Sequence, residues 1–353
     1  MGIDHAFAVV LAGGRGERFW PLSTGAYPKA FLRLVGHESL LQATVRRARL
    51  IVPWAQILVV AGRTHADLVR MQLPELPEDN LLLEPLGRDT AAAVGFASLH
   101  LERRDPAAVM AVLPADHHIP NGEAFAAGLR RAFDLIEARP TSVVTIGIPP
   151  TRPEIGYGYL GAGEALPDAP GAFYVRRFVE KPDLDTVWKL LQEGDYYWNS
   201  GMFVWRGTTI QDLLARQMPG EWAGFRRIRE AWGVDDVLVR EFSAFRRLSV
   251  DYGVLERMDS GVVMIPAEFA WDDLGSWDAL ARVLPAEEHG NVVIGEVRSL
   301  DTSGSVIIST DQRVATLGVA DMIVVASRHG VSAFRSEERR VRKECRSRWS
   351  PYH

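Results

Sequence analysis

AVVLAGGRGERFWPLSTGAYPKAFL, residues 8–32, opens with an apolar, β-branched run, Ala8-Val9-Val10-Leu11, that reads as a buried parallel strand. Ala12-Gly13-Gly14-Arg15-Gly16 follows at once. Glycine has no Cβ, so backbone N–H groups in such a loop can close on an anion. Arg18 and Lys29 add cations on either side of Pro21 and Pro28. A strand, a glycine turn and two cations describe a triphosphate site; the alternative is a tight strand-to-helix turn with solvated charges. Two other phosphate loops are excluded. No Gly-Lys-Ser/Thr follows, and Phe19 stands where the dinucleotide fingerprint needs its third glycine.

Outward from that strand, helix and strand alternate. Residues 38–52 carry Leu40, Leu41, Val45, Ala48 and Ile51 at helical spacing. Strands are expected at 56–61, 80–84, 109–113 and 143–148, and helices at 64–73, from Thr90 behind an Asp89 cap, and at 125–138. This order predicts the α/β class: a Rossmann-like, mostly parallel sheet with helices on both faces. Ligands in such sheets bind beyond the carboxyl ends of the strands, here after Leu11 and after Leu113. From Pro149 the rhythm loosens, with strands expected at 173–179, 201–205 and 262–265 and helices at 183–192, 208–217 and 275–283. Past Pro285, four short β runs (292–297, 305–308, 314–317 and 322–325) have roughly even spacing, which suggests a small coiled β domain. The expected division is 1–285, 286–334 and a tail, 335–353, rich in arginine and almost without apolar residues, that reads as disordered or vector-derived sequence.

The 353 residues, 47% of them hydrophobic, suffice for one large domain and a smaller one. A net charge of -5 argues against nucleic acid as a main partner. No apolar run is long enough to span a membrane, and the N-terminus has no signal pattern. The single cysteine, Cys345, rules out a disulfide framework and a thiolate metal site, so a cytoplasmic location is expected.

Three further segments carry chemistry. Leu113-Pro114-Ala115-Asp116-His117 puts a carboxylate just past a strand end, and Asp272-Asp273 in Trp271-Asp272-Asp273-Leu274-Gly275 offers a second. Carboxylates hold Mg²⁺ beside substrate phosphates, whereas zinc on the consecutive His117 and His118 is disfavoured because neighbouring histidines rarely face one ion. The run 84–91, EPLGRDTA, contains Glu84, Gly87, Arg88, Asp89 and Thr90. Guanine presents adjacent N1–H and N2–H₂ donors, which a carboxylate or backbone carbonyls would meet. On its own this run is also a capped helix start. Gly158, Glu180-Lys181-Pro182 and Asn199 carry the groups a sugar phosphate would need, carboxylate and amide for hydroxyls and a cation for the phosphate, although taken alone Glu-Lys-Pro is also an ordinary solvated turn.

Residues 11–29 resemble the LAGGxGxRxxPxxxxxPK signature of sugar-nucleotide pyrophosphorylases, and Trp20 and the 84–91 run resemble the mannose-1-phosphate guanylyltransferase branch. Ser249-Val250-Asp251-Tyr252 and Glu256 resemble that branch's SxDYxxxE segment, which is expected to brace the sugar pocket. The resemblance spans about residues 7–327 and departs from the family pattern at Ala30, Ala92 and Ile155. It implies a GT-A-like nucleotidyltransferase fold with a C-terminal β domain resembling a left-handed β-helix. It implies that Leu11, Ala12, Gly13, Gly14 and Gly16 bind the nucleotide with the 84–91 segment against the base. Asp116 and Asp273 would hold Mg²⁺ or Mn²⁺, Asp272 being only a neighbour. Arg18 and Lys29 would act on the triphosphate, and Gly158, Glu180, Lys181 and Asn199 on the sugar phosphate.

The implied reaction joins GTP and mannose 1-phosphate into GDP-mannose and pyrophosphate by in-line attack on the α-phosphate, without a protein nucleophile. The alternatives are the same chemistry on another sugar 1-phosphate or nucleotide, a non-catalytic sugar-nucleotide-binding paralogue, and an NAD-dependent oxidoreductase already weakened by the failed fingerprint. The sequence leaves the oligomeric state open, with a homodimer as the candidate.

Overall fold

Val9 and Val10 are fully buried in β1 (Ala6–Leu11), the strand that the opening run predicts. The computed structural model describes residues 4–14 and 17–335, so Gly16, Cys345 and nearly all of the expected tail lie outside the described residues. The chain divides into two units, Met1–Gly14 with Leu41–Trp271, and Arg15–Leu40 with Asp272–His353.

In the first unit the alternation continues as α1 (Leu40–Ala48), β2 (Ile57–Gly62), α2 (Ala66–Gln72), β3 (Leu81–Glu84), α3 (Asp89–Arg104), β4 (Val109–Pro114), α4 (Gly122–Ala138) and β5 (Val143–Ile148). Then come β6 (Tyr159–Ala165), β7 (Phe173–Val179), α5 (Leu184–Glu193), β8 (Tyr196–Arg206), α6 (Gly207–Gln217), α7 (Pro219–Glu230), α8 (Asp235–Ala244), the single turn α9 (Val250–Gly253) and β9 (Val262–Pro266). All nine strands form one sheet in the order β3-β2-β1-β4-β8-β5-β9-β7-β6. The strands β3, β2, β1 and β4 run parallel, whereas β8 is antiparallel to both β4 and β5. Parallel pairing returns between β5 and β9. The chain leaves β1 toward β2 on one side and returns to β4 on the other, so the β1/β4 junction is a topological switch point, where open α/β sheets hold ligands.

Helix α3 is buried from Ala91 to Leu99, in keeping with its alanine-rich, apolar sequence. At Gly95 a Cβ would come within 2.4 Å of the Phe225 ring, so this glycine lets α3 and α7 approach closely. Helices α7 and α8 are absent from the sequence-based expectation. Their arginines and acids mask a narrow apolar stripe, of which Phe225, Ile228 and Phe242 are buried.

The second unit joins two stretches far apart in sequence. Phe19, Leu32, Leu34 and Leu40 share a core with Leu274, Trp277, Leu280, Val306, Ile308, Ile323 and Val325. After α10 (Trp277–Val283), the chain makes β10 (Val292–Ile294), β11 (Val297–Leu300), β12 (Val306–Ser309), β13 (Val314–Leu317), β14 (Met322–Ser327) and β15 (Gly330–Arg335). β10, β12 and β14 stack in parallel, as do β11 and β13, the pattern of a β-helix. The run 292–297, expected as one strand, is broken by a corner at Gly295. Its φ is 93°, and a Cβ would lie 1.9 Å from the Ser309 carbonyl oxygen, so no side chain fits. β15 turns back antiparallel on β14.

Candidate active site

The glycine loop and the first carboxylate meet at the switch point. Leu11 pairs with Pro114, its carbonyl accepts the Ala115 N–H at 3.1 Å, and the Ala12 N–H donates to the Val60 carbonyl at 2.9 Å. Gly13 and Gly14 are exposed, and Gly14 has a left-handed φ of 101°. Asp116 follows β4 with its side chain 38% exposed. The next residue is locked: the Trp271 indole N–H donates to His117 Nδ1 at 3.1 Å, and Arg47 donates to the His117 carbonyl. An indole can only donate, so neutral His117 carries its proton on Nε2, 4.0 Å from Asp116 Oδ1.

The 84–91 segment starts from the edge of the sheet. Glu84 is buried, and its Oε1 has no hydrogen-bond partner among the described residues. Burial, and secondarily the Asp89 charge, push its carboxyl up to about 7. Gly87 is exposed. Arg88 turns to the end of α8 and donates to the carbonyls of Phe242 (2.7 Å) and Ser243 (2.6 Å). Asp89, expected as the cap of α3, instead stands as its first residue with a φ of 68°, and its Oδ1 accepts only the adjacent Thr90 N–H at 2.7 Å, so the helix start has no side-chain cap among the described residues. Thr90 Oγ1 accepts the Val250 N–H at 2.9 Å.

Gly158, Glu180, Lys181 and Asn199 come together. A Cβ on Gly158 would lie 2.3 Å from Glu180 Oε2 and 3.2 Å from Asn199 Cβ, so the glycine makes room for the carboxylate. Glu180 Oε2 is buried without a hydrogen-bond partner among the described residues, while Oε1 accepts from Lys181 Nζ. Burial raises the Glu180 carboxyl above its ordinary range, and the Asp251 and Glu256 charges add to this against the pull of Lys181. Burial opposes the Lys181 charge, yet the Glu180 hydrogen bond prevails and holds the ammonium above its ordinary range. The ammonium also lies 5.5 Å from the Tyr252 ring centroid.

Asp251, in the segment expected to brace the sugar pocket, is the hub of this cluster. Its Oδ1 accepts from Asn199 Nδ2 at 2.7 Å, while Asn199 Oδ1 accepts the Gly201 N–H. Burial raises the Asp251 carboxyl, and the Asp89 charge adds to it, so the 84–91 segment and the Gly158 cluster are electrostatic neighbours. From sequence alone this residue has no identifiable contact. Its only signal was the D-Y pair behind Ser249, which caps α9 by accepting the Tyr252 N–H.

Arg18, Lys29 and Asp273 belong to the second unit. Arg18 is exposed, and Lys29 Nζ donates to the Asp273 carbonyl at 2.5 Å. The adjacent carboxylates differ. Asp272 is buried, pairs with Arg282 at 2.8 Å and accepts the Leu274 N–H. Asp273 is half-buried, and its Oδ1 accepts the Gly275 N–H at 2.9 Å. A Cβ on Gly275 would fall 2.6 Å from Asp273 Oδ2, which accounts for the glycine two residues on.

The family model for nucleotidyl transferases matches residues 7–289. The chain is 39% identical to mannose-1-phosphate guanylyltransferase ManC of Salmonella typhimurium, over 92% of this chain and 69% of the relative. The chain belongs to the mannose-1-phosphate guanylyltransferase family of nucleotidyl transferases. Its similarity to the Escherichia coli mannose-1-phosphate guanylyltransferase is 38% identity, over 94% of this chain and 70% of the relative. The mannose-1-phosphate geranyltransferase structure from Thermus thermophilus superposes with a TM-score of 0.86 and 35% identity, covering 95% of this chain and 96% of that one. The enzyme shows no described helix long and apolar enough to cross a membrane.

Proposed function

We propose that this nucleotidyltransferase makes GDP-mannose and pyrophosphate from GTP and mannose 1-phosphate. A phosphate oxygen of the sugar attacks the α-phosphorus of GTP in line. The new P–O bond forms as the bond to the β-bridging oxygen breaks, and its electrons leave with pyrophosphate. The attacking group is already anionic, so the protein supplies positioning and charge. The observation that carries this reading is the cluster of Gly158, Glu180, Lys181 and Asn199 around half-buried Asp251, a carboxylate, cation and amide set suited to a sugar phosphate.

In this reading Lys181 steers the sugar phosphate, and Glu180, Asn199 and the Gly158 backbone hold the hydroxyls. Gly13, Gly14 and Gly16 present amides to the triphosphate, with Leu11 and Ala12 leading the strand into that loop, while Arg18 and Lys29 neutralise it and the leaving pyrophosphate. Glu84, Gly87, Asp89 and Thr90 face the base, and Arg88 anchors that segment to α8. Asp116 and Asp273 are the residues proposed to hold Mg²⁺ or Mn²⁺. Both carboxylates remain partly accessible, whereas Asp272 is occupied by Arg282, and one or two protein carboxylates suit Mg²⁺ when phosphates complete its shell. Such an ion offsets charge on the phosphates. Residues 1–285 would form the catalytic domain and 286–334 the C-terminal β domain, in a cytoplasmic enzyme.

The test is pyrophosphate release over a grid of nucleoside triphosphates and sugar 1-phosphates. A pocket that pairs guanine's N1–H and N2–H₂ leaves a buried acceptor unmet by inosine, at a cost of about 1–3 kcal/mol. GTP should therefore exceed ITP by roughly ten-fold or more in kcat/KM, and ATP by more. Equal use of GTP, ATP and UTP refutes the guanine assignment.

A further inference from the structure

Arg18 and Lys29 sit on a loop that is held at three places. Phe19 packs edge-on against Trp277 at 4.6 Å and accepts the Leu22 and Ser23 N–H groups on its carbonyl, both at 2.8 Å. Lys29 reaches the Asp273 carbonyl. The third anchor lies in no recognised motif, in the turn between β14 and β15. There the buried Ser327 donates its hydroxyl to the Pro21 carbonyl at 3.1 Å and accepts the His329 N–H, also at 3.1 Å. Gly330 has a φ of 147°, and a Cβ on it would lie 3.1 Å from Trp20 Cη2 and 3.2 Å from Cζ2. The turn therefore holds both residues of the Trp20-Pro21 pair: Ser327 by a hydrogen bond, Gly330 by leaving room for the indole.

We propose that Ser327 and Gly330 are positioning residues that fix the Trp20-Pro21 corner and so set where Arg18 and Lys29 present their charge to the triphosphate. This rests on the roles proposed for Arg18 and Lys29. The physical reason is leverage. Arg18 stands two residues before Trp20, in the short 3-10 turn Glu17–Phe19 that leads into it, so a change at the Trp20-Pro21 corner acts on the backbone that carries the guanidinium. Displacements on the order of 1 Å in positioning groups lower rates by up to about 10²-fold. The second unit thus orients its own two cations through a turn that carries no catalytic group.

The experiment compares Gly330→Ala, Ser327→Ala, Trp20→Ala and the Trp20→Ala/Gly330→Ala double variant. It measures KM and kcat for GTP and for mannose 1-phosphate separately, Tm, and amide exchange over residues 20–28. Gly330→Ala should lower kcat/KM for GTP by about 10- to 100-fold. It should move the GTP parameters more than the sugar-phosphate KM and speed exchange at Leu22 and Ser23. Trp20→Ala should do the same, and the double variant should lose no more than the worse single, because the crowding that Gly330→Ala introduces exists only while the indole is present. Ser327→Ala should shift GTP parameters in the same direction, by less. A double-variant loss equal to the product of the single losses overturns the proposal. So do unchanged GTP parameters in folded Ser327→Ala and Gly330→Ala. If Gly330→Ala does not fold, Ser327→Ala decides. A native enzyme that releases no pyrophosphate from GTP refutes the function instead, while the exchange comparison still decides the anchor.

Discussion

Asp272→Asn and Asp273→Asn, one residue apart, should fail in different ways. Asp272 is buried and accepts from Arg282 Nε (2.9 Å), Arg282 Nη2 and the Leu274 N–H (2.9 Å). Asparagine keeps one acceptor but turns a donor toward the guanidinium. A hydrogen bond to a charged group contributes about 1.5–3 kcal/mol against about 0.5–1.5 for a neutral one. The Arg282 side chain is 34% exposed, so solvent screens part of that difference, leaving about 1–2 kcal/mol. At roughly 2–4 °C per kcal/mol for a chain of some hundreds of residues, Tm should fall by about 2–8 °C. Turnover by the folded fraction should persist, because Asp272 has no proposed contact with substrate. Asp273→Asn retains an oxygen for the Gly275 N–H and so should leave Tm nearly unchanged. Its turnover should drop by about 10²-fold or more through loss of a cation-binding carboxylate. Calorimetry beside pyrophosphate release, titrated with Mg²⁺ and Mn²⁺, separates the two. A collapse of activity in Asp272→Asn at unchanged Tm shows the proposed register to be wrong by one residue.

Arg18→Ala and Lys29→Ala should each lower kcat by about 10²–10³-fold if they stabilise charge on the departing pyrophosphate, as steady-state kinetics would show. Near-normal turnover with the fold intact by circular dichroism removes the role from whichever residue shows it. Glu84 should make stability depend on pH. Its folded carboxyl, pushed up to about 7 by burial, keeps a proton that the unfolded chain releases near 4.5, so its contribution is full below the unfolded value and lost as pH rises through about 7. The whole effect is at most about 3 kcal/mol. Glu84→Gln should therefore be close to neutral at pH 5 and stabilising at pH 8 in urea unfolding without nucleotide; an equal difference at both pH values refutes the assignment.

The parallel half of the sheet was readable from the chain alone. Strands such as β1, β4 and β5 are buried along nearly their whole length, so each appears as a continuous apolar run, and glycine or proline punctuates their ends. The switch point followed from that order, and with it the neighbourhood of the glycine loop and Asp116. Glu180, Lys181 and Asn199 could be placed in one reading because their chemistry is complementary. Helices α7 and α8 escaped because charged residues outnumber their buried positions, and β6 because its glycines read as a loop.

The resemblance already favours Asp273 over Asp272, but only the tertiary structure supplies a physical difference between them. The two are chemically identical neighbours, and what separates them is an arginine ten residues away and a glycine two residues on. Asp251 gained its place the same way, through an amide 52 residues earlier in the chain. The grouping of Arg15–Leu40 with the C-terminal strands depends on contacts such as Lys29 to Asp273 and Ser327 to Pro21, separated by 244 and 306 residues. Periodicity and turn chemistry act over a few residues, so they fix elements and local loops. Which side chains share a site is settled by packing between segments that have no local relation to one another.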